Sequence, residues 1–203
     1  MRTVLLILAV LLVTACGQNA AQPAVPSPAA DGAATAIPAQ AAPLTAEDYF
    51  AQGNAAFEQG RLAAAVEGFR QAATLAPQEA GYWHNLGVAQ YSLNALDEAQ
   101  ASFARGLELA PNDAELNYLM GVVLIQFEQL DQAASYLLKA NELDAKLPEP
   151  YFGLGVLYKL QGQRAEAIQA FQTFLDIGPG QDASAMQVAQ QELDALLSTS
   201  PTP

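Results

Sequence analysis

One cysteine, Cys16, and one histidine, His84, in 203 residues leave few routes to covalent or metal chemistry. A zinc site built from Cys and His needs several such ligands. A Cys-His or Ser-His nucleophile pair would have to be built on His84 alone, and Cys16 directly follows an apolar leader. The 14 glycines do not form the G-x-x-x-x-G-K-[ST] phosphate cradle. Acidic residues are scattered over positions expected to be exposed on helices, such as Asp97-Glu98 and Asp113-Glu115. That pattern suits a solvated face better than a carboxylate pair doing acid–base work. The expectation is therefore a non-enzyme with no catalytic residue, no metal and no diffusible cofactor.

Cys16 has a different use. Arg2 begins a leader whose apolar run, Val4 to Val13, is ten residues long. As a helix that is about 15 Å, roughly half the hydrocarbon thickness of a bilayer, so the run reads as a secretory signal and not a permanent span. The junction Val13-Thr14-Ala15-Cys16 resembles the lipobox of bacterial lipoproteins. That resemblance implies cleavage after residue 15, a diacylglyceryl thioether on Cys16 and acylation of its amine. Two or more acyl chains hold a protein to a membrane far better than one. Gly17, where an Asp would imply inner-membrane retention, favours the outer membrane if the host has one. With its only thiol lipidated, the chain has no disulfide and must fold by packing alone.

Residues 17–45 contain five prolines, many alanines and no aromatic side chain. They lack the apolar bulk that offsets chain entropy, so residues 16–45 are expected to form a disordered tether with roughly 30 Å of reach. From Ala46 the chain repeats itself. Gly53, Gly87, Gly121 and Gly155 are spaced by 34 residues, and so are Ala65, Ala99, Ala133 and Ala167. Phe69, Phe103, Leu137 and Phe171 keep the same step, as do Leu75, Leu109, Leu143 and Ile177, while Pro77, Pro111 and Pro179 form a fifth class with Ala145 in the remaining slot. Four units without insertion result: 46–79, 80–113, 114–147 and 148–181. Each has two apolar stripes of helical period, separated by Gly60, Asn94, Glu128 or Gly162, where a left-handed C-cap is expected. The glycine and alanine positions let the two helices approach, and the position-24 side chain fills the gap beside them. Residues 182–197 read as a capping helix with Asp182 as N-cap and Met186, Ala189, Leu193, Leu196 and Leu197 on one apolar side. Residues 198–203 are expected to fray.

The motifs "WHNLG" with Ala99, Phe103 and Pro111, and "YFGLGVLY" with Ala167, Phe171 and Pro179, resemble the tetratricopeptide repeat over residues 46–181. Unit one departs from the pattern at Gln52 and Ala56, unit three at Asn117 and Ala145. The resemblance implies an all-α fold, a right-handed solenoid of four helix-turn-helix repeats plus the capping helix. In that family, first-helix positions 2, 5, 9 and 12 line a concave binding face. The partner-binding residues so implied are Phe50, Asn54, Phe57, His84, Asn85, Val88, Tyr91, Tyr118, Val122, Ile125, Phe152 and Val156. Glu47, Gly81, Glu115, Glu149 and Lys159 occupy further positions of the same set. Two outcomes stand open for them: an exposed apolar groove for a peptide or helix, or a tight curl in which they pack against neighbouring helices. Asn54 and Asn85 match the asparagines of the clamp that grips C-terminal carboxylates, but Phe50, Glu115 and Leu119 replace its cations, so a terminal carboxylate finds no counter-charge.

The full chain has 21 acidic and 8 basic residues, a net charge of −13, and loss of Arg2 with the signal makes it −14. Such a field disfavours nucleic acid and anionic head groups. The expectation is a lipoprotein adaptor or scaffold of the bacterial cell envelope, facing the periplasm or the exterior. It would touch the bilayer only through its anchor and bind another envelope protein; the alternative is a self-associating homo-oligomeric subunit. Lipoproteins of this architecture act as secretin pilotins, barrel-assembly components and peptidoglycan-enzyme adaptors. Cys16→Ser is predicted to move the chain from the membrane fraction to a soluble or unprocessed form, and unchanged membrane retention on fractionation would contradict lipidation.

Overall fold

The computed structural model describes residues 43–178 and 183–198. Cys16, the tether as far as residue 42, Pro179, Asp182 and the last five residues lie outside that range. Nine helices are present among the described residues: α1 (Ala46–Glu58), α2 (Leu62–Leu75), α3 (Ala80–Ser92), α4 (Leu96–Leu109), α5 (Ala114–Gln126), α6 (Leu130–Leu143), α7 (Glu149–Leu160), α8 (Arg164–Ile177) and α9 (Ala183–Ser198). No strand accompanies them there, and none is long and apolar enough to cross a membrane. Each odd helix from α1 to α7 packs on the even helix that follows it, each even helix packs on the odd helix of the next unit, and α9 closes the stack against α8.

The helix starts follow from local chemistry. Thr45 and Asp48 form a reciprocal capping box on α1, Asp48 N donating to Thr45 Oγ1 at 3.2 Å and Thr45 N to Asp48 Oδ2 at 2.9 Å. Asp113 caps α5 by accepting from Leu116 N at 2.8 Å. The turns inside the units share one geometry. Gly60, Asn94, Glu128 and Gly162 have φ of +69°, +60°, +57° and +74°. In unit one Gly60 N donates to Phe57 O and Arg61 N to Ala56 O, both at 2.9 Å, the paired bonds of a Schellman motif, and units two to four repeat them. Glu128 holds this left-handed turn without glycine's freedom, at a cost of about 1 kcal/mol.

Within each unit the contact expected from the 34-residue phase is present. A Cβ placed on Gly53, Gly87, Gly121 or Gly155 would come within 2.6, 2.5, 2.7 and 2.7 Å of Phe69, Phe103, Leu137 and Phe171. Those four side chains are buried, as are Ala65, Ala99, Ala133 and Ala167. A second repeated contact ties units together. The side chain at position 4 of units two to four donates to the carbonyl that precedes it by six positions: Trp83 Nε1 to Pro77 O at 3.0 Å, Asn117 Nδ2 to Pro111 O at 3.3 Å and Tyr151 OH to Ala145 O at 3.4 Å. Asn117, a departure from the repeat pattern in sequence, thus keeps the boundary contact with a different donor.

Two details differ from the sequence expectation. Leu197 is 55% exposed and lies off the apolar side of α9, where Ala185 is buried beside Ala189 and Leu193. Leu75, Leu143 and Ile177, each the last residue of its helix, keep the repeat's phase yet are exposed. The close contact yields a paired prediction within one helix. Gly87→Ala drives a methyl into the Phe103 ring and should cost roughly 1–3 kcal/mol. Gly81→Ala meets only Glu79 Oε1, at 4.0 Å, and should add a few tenths of a kcal/mol. Urea unfolding midpoints that move in the same direction for both would contradict the packing described.

Candidate functional site

The first helices α1, α3, α5 and α7 present the positions that the resemblance assigns to partner binding, and the structure divides them in two. Phe50, Asn54, Phe57, His84 and Asn85 are partly exposed. Val88, Tyr91, Tyr118, Val122, Ile125, Phe152 and Val156 are all at most 6% exposed and belong to the main core. An open apolar groove over units two to four is therefore not what the fold makes, and the tight-curl alternative describes those units. The cause is α5. Every residue from Leu116 to Ile125 is buried, because this helix lies in the middle of the stack with neighbours on several sides, including α7. Tyr118→Asp or Val122→Lys would place a charge in the core and unfold the protein, so neither reports on surface binding.

Unit one keeps its face more open. Phe50 stacks against Phe69 and Tyr82, with ring centroids 5.5 and 4.9 Å apart. The Asn85 amide donates to Gly81 O of its own helix at 2.8 Å. Deeper in the stack Gln126 Nε2 donates to Tyr91 OH at 3.2 Å, joining α3 to α5.

A second set of residues was hidden in the sequence among carboxylates read as solvated. Asp113 and Glu115 do not stand free: Asp113 is the α5 cap, and Glu115 lies against His84, its Oε1 3.6 Å from Nε2. Burial, helped by Asp113 and Glu149, pushes the Glu115 carboxyl up to about 7. Burial lowers the His84 imidazole, with Asp113 opposing. Both shifts favour the uncharged forms, so the 3.6 Å approach is a contact and not a fixed ion pair. Glu149 is raised by burial and by Asp144, while a backbone N–H opposes. The Tyr118 hydroxyl is raised by burial and by Glu149, Tyr91 and Glu115. His84 Nε2, Tyr118 OH and Glu149 Oε2 are buried without a hydrogen-bond partner, each a cost of about 1–3 kcal/mol.

Chemically the face can bind but has little to react with. No group of three or more His, Cys, Asp or Glu among the described residues is placed to hold a metal ion. A cleft of about 580 Å³ lies elsewhere, between α1 and α2, lined by Tyr49, Gln52, Arg61, Glu67 and Gln71 among others. None of the unpartnered polar atoms lines it.

Comparison with known proteins identifies the repeat. Family models described as tetratricopeptide repeat match residues 56–122, 114–147 and 151–177. No curated protein matches by sequence. Among solved structures, MamA (residues 41 to the end) from Desulfovibrio magneticus RS-1 is 21% identical with a TM-score of 0.62, over 75% of this chain and 89% of that one. Another MamA structure is 20% identical with a TM-score of 0.61, over 75% and 86%. YrrB, described as a TPR protein with an unusual peptide-binding site, is 24% identical with a TM-score of 0.58, over 75% and 82%. At these identities the likeness is one of fold.

The raised carboxyl makes stability depend on pH. A group whose folded value lies near 7, above its ordinary 4.5, gives stability that is full below 4.5 and lost as pH rises through 7. Glu115→Gln should therefore leave the urea midpoint nearly unchanged at pH 4.5 and raise stability at pH 8 by roughly 1–2 kcal/mol, after discounting for partial exposure. An equal effect at both pH values would mean that Glu115 is solvated.

Proposed function

We propose, from the premise that this chain is a solenoid of tetratricopeptide repeats, that it is a membrane-anchored protein-binding adaptor of the bacterial cell envelope. The observation that carries the reading is the first-helix face. Two of the first helices, α1 and α3, hold Phe50, Asn54, Phe57, His84 and Asn85 partly exposed. Aromatic and amide side chains on a rigid scaffold are suited to gripping a polypeptide, the ring by area and the amide by backbone hydrogen bonds. The anchor rests on Val13-Thr14-Ala15-Cys16, and the proline- and alanine-rich stretch after it would hold the repeats off the bilayer. The net charge of −13 supports a protein partner over nucleic acid. Peptide binding by YrrB is a parallel in the same fold.

The test is capture from detergent-solubilised membranes through a C-terminal tag, with Asn54→Ala/Asn85→Ala in parallel. The adaptor reading predicts an envelope protein that is retained by the natural chain and reduced at least tenfold by the variant, with the helical circular dichroism of both alike. Recovery of the chain's own copies alone would contradict it and favour a self-associating subunit.

A further inference from the structure

The openings of α3, α5 and α7 bring together a group of polar and titratable side chains. Position 2 of the four units is Glu47, Gly81, Glu115 and Glu149, and position 5 is Phe50, His84, Tyr118 and Phe152. Glu115 and Glu149 are thus one repeat apart on two helices that pack together, near enough that Glu149 acts on Glu115 and both act on Tyr118. His84 closes the group from α3, 3.6 Å from Glu115. Gly81 stands where the other units carry glutamate, and a Cβ there would meet only Glu79 Oε1, at 4.0 Å.

Three observations say what chemistry this group lacks. The Tyr118 hydroxyl is on a side chain 2% exposed, among these carboxylates, and has no partner. Glu149 Oε2 and His84 Nε2 are likewise buried and unpartnered. Six of the chain's cations are engaged elsewhere: Arg61 with Gln59, Arg70, Arg105 and Lys159 with Glu67, Glu108 and Glu192, and Lys139 and Arg164 with the carbonyls of Pro111 and Leu196. What the group lacks is positive charge with several N–H donors. Because no three of the acidic and imidazole groups are placed to hold a metal ion, an organic cation fits better.

We propose that His84, Glu115, Tyr118 and Glu149 form a subsite for one basic side chain, lysine or arginine, of the partner polypeptide. This rests on the adaptor reading and names what part of that surface takes. The acidic chain steers such a partner toward it, and the two carboxylates then hold one cation between successive repeats. The groups facing the subsite are His84 and Tyr91 from α3, Asp113, Glu115 and Tyr118 from α5, Glu149 from α7 and Asp144 from the α6–α7 connection. Of these, Glu115 changes charge near neutrality. Lysine and arginine stay charged across that range, so binding strengthens as pH rises from 6 to 8 and Glu115 gives up its proton.

The probes are acetyl-Gly-Arg-Gly-amide and acetyl-Gly-Lys-Gly-amide, with citrulline and Nε-acetyl-lysine counterparts as neutral controls. Glutamate carboxyl carbons of the isotope-labelled chain are followed by NMR. The expected result is binding of the basic probes at least tenfold tighter than the neutral ones and at least threefold tighter at pH 8 than at pH 6. Glu115→Gln/Glu149→Gln should lose at least tenfold, and Asp97→Asn/Glu98→Gln, which removes equal charge from an exposed face, less than twofold. Equal losses in the two variants, or equal binding of the citrulline peptide, would overturn the proposal by reducing it to net charge. In membrane capture, retention of the partner by Glu115→Gln/Glu149→Gln together with its loss in Asn54→Ala/Asn85→Ala would sink the subsite and leave the adaptor reading standing.

Discussion

Everything else in this protein depends on how close two helices can come. At Gly53, Gly87 and Gly155 a phenylalanine ring from the following helix occupies the space a side chain would need, and at Gly121 a leucine does so. That contact brings the helices of a unit together, and the fully buried alanines of the second helices maintain the approach. With no disulfide available, this packing must supply the cohesion; removing one such phenylalanine would cost about 3–5 kcal/mol. The left-handed turns at Gly60, Asn94, Glu128 and Gly162 return the chain at one fixed angle. Equal contacts and equal turns make equal units, which is why the first helices line up with their opening turns in a row.

The row has two consequences for binding. Stacking pulls the middle of the first-helix face into the core, so α5 carries ten successive buried residues and contributes almost no open apolar surface. The same stacking draws polar side chains at the helix openings together before they can spread into water. Glu115, Glu149, His84 and Tyr118 are crowded by the architecture, and the raised carboxyl of Glu115 measures that crowding. A solenoid of this kind spends some stability at its helix openings. The return for that strain would come when a partner supplies what the group lacks.

The fold was legible because its determinants are local and repeated. A 34-residue phase in Gly, Ala and Phe reports contacts inside one unit, and those contacts recur wherever the phase holds. The fate of the binding face was not legible in the same way, since burial of Tyr118 or Val122 depends on neighbours one and two units away. One signal was available: Leu116 to Ile125 has only Asn117 and Tyr118 as polar interruptions, whereas α4 alternates apolar and polar residues in a stripe. A helix apolar on all sides is buried on all sides. Glu115 reads as a surface carboxylate in the sequence because its burial, and the approach of Glu149 from the next repeat, are set by residues far along the chain. Asn117 looked like a lapse in the repeat, yet it is a substituted donor to Pro111 O. Leu197 followed the helical period of the cap but falls beyond the reach of α8.

The central claim is that the openings of the first helices are where a partner sits. The most direct measurement is hydrogen exchange of the full chain with and without its captured partner, read at the backbone amides that open the first helices, where the fraying end of a helix makes exchange sensitive to cover from outside. Binding is predicted to slow exchange at residues 81–84, 115–118, 149, 151 and 152. Slowing confined to α2, α4 and α6, with those first turns unchanged, would contradict the account and place the partner on the opposite side of the stack.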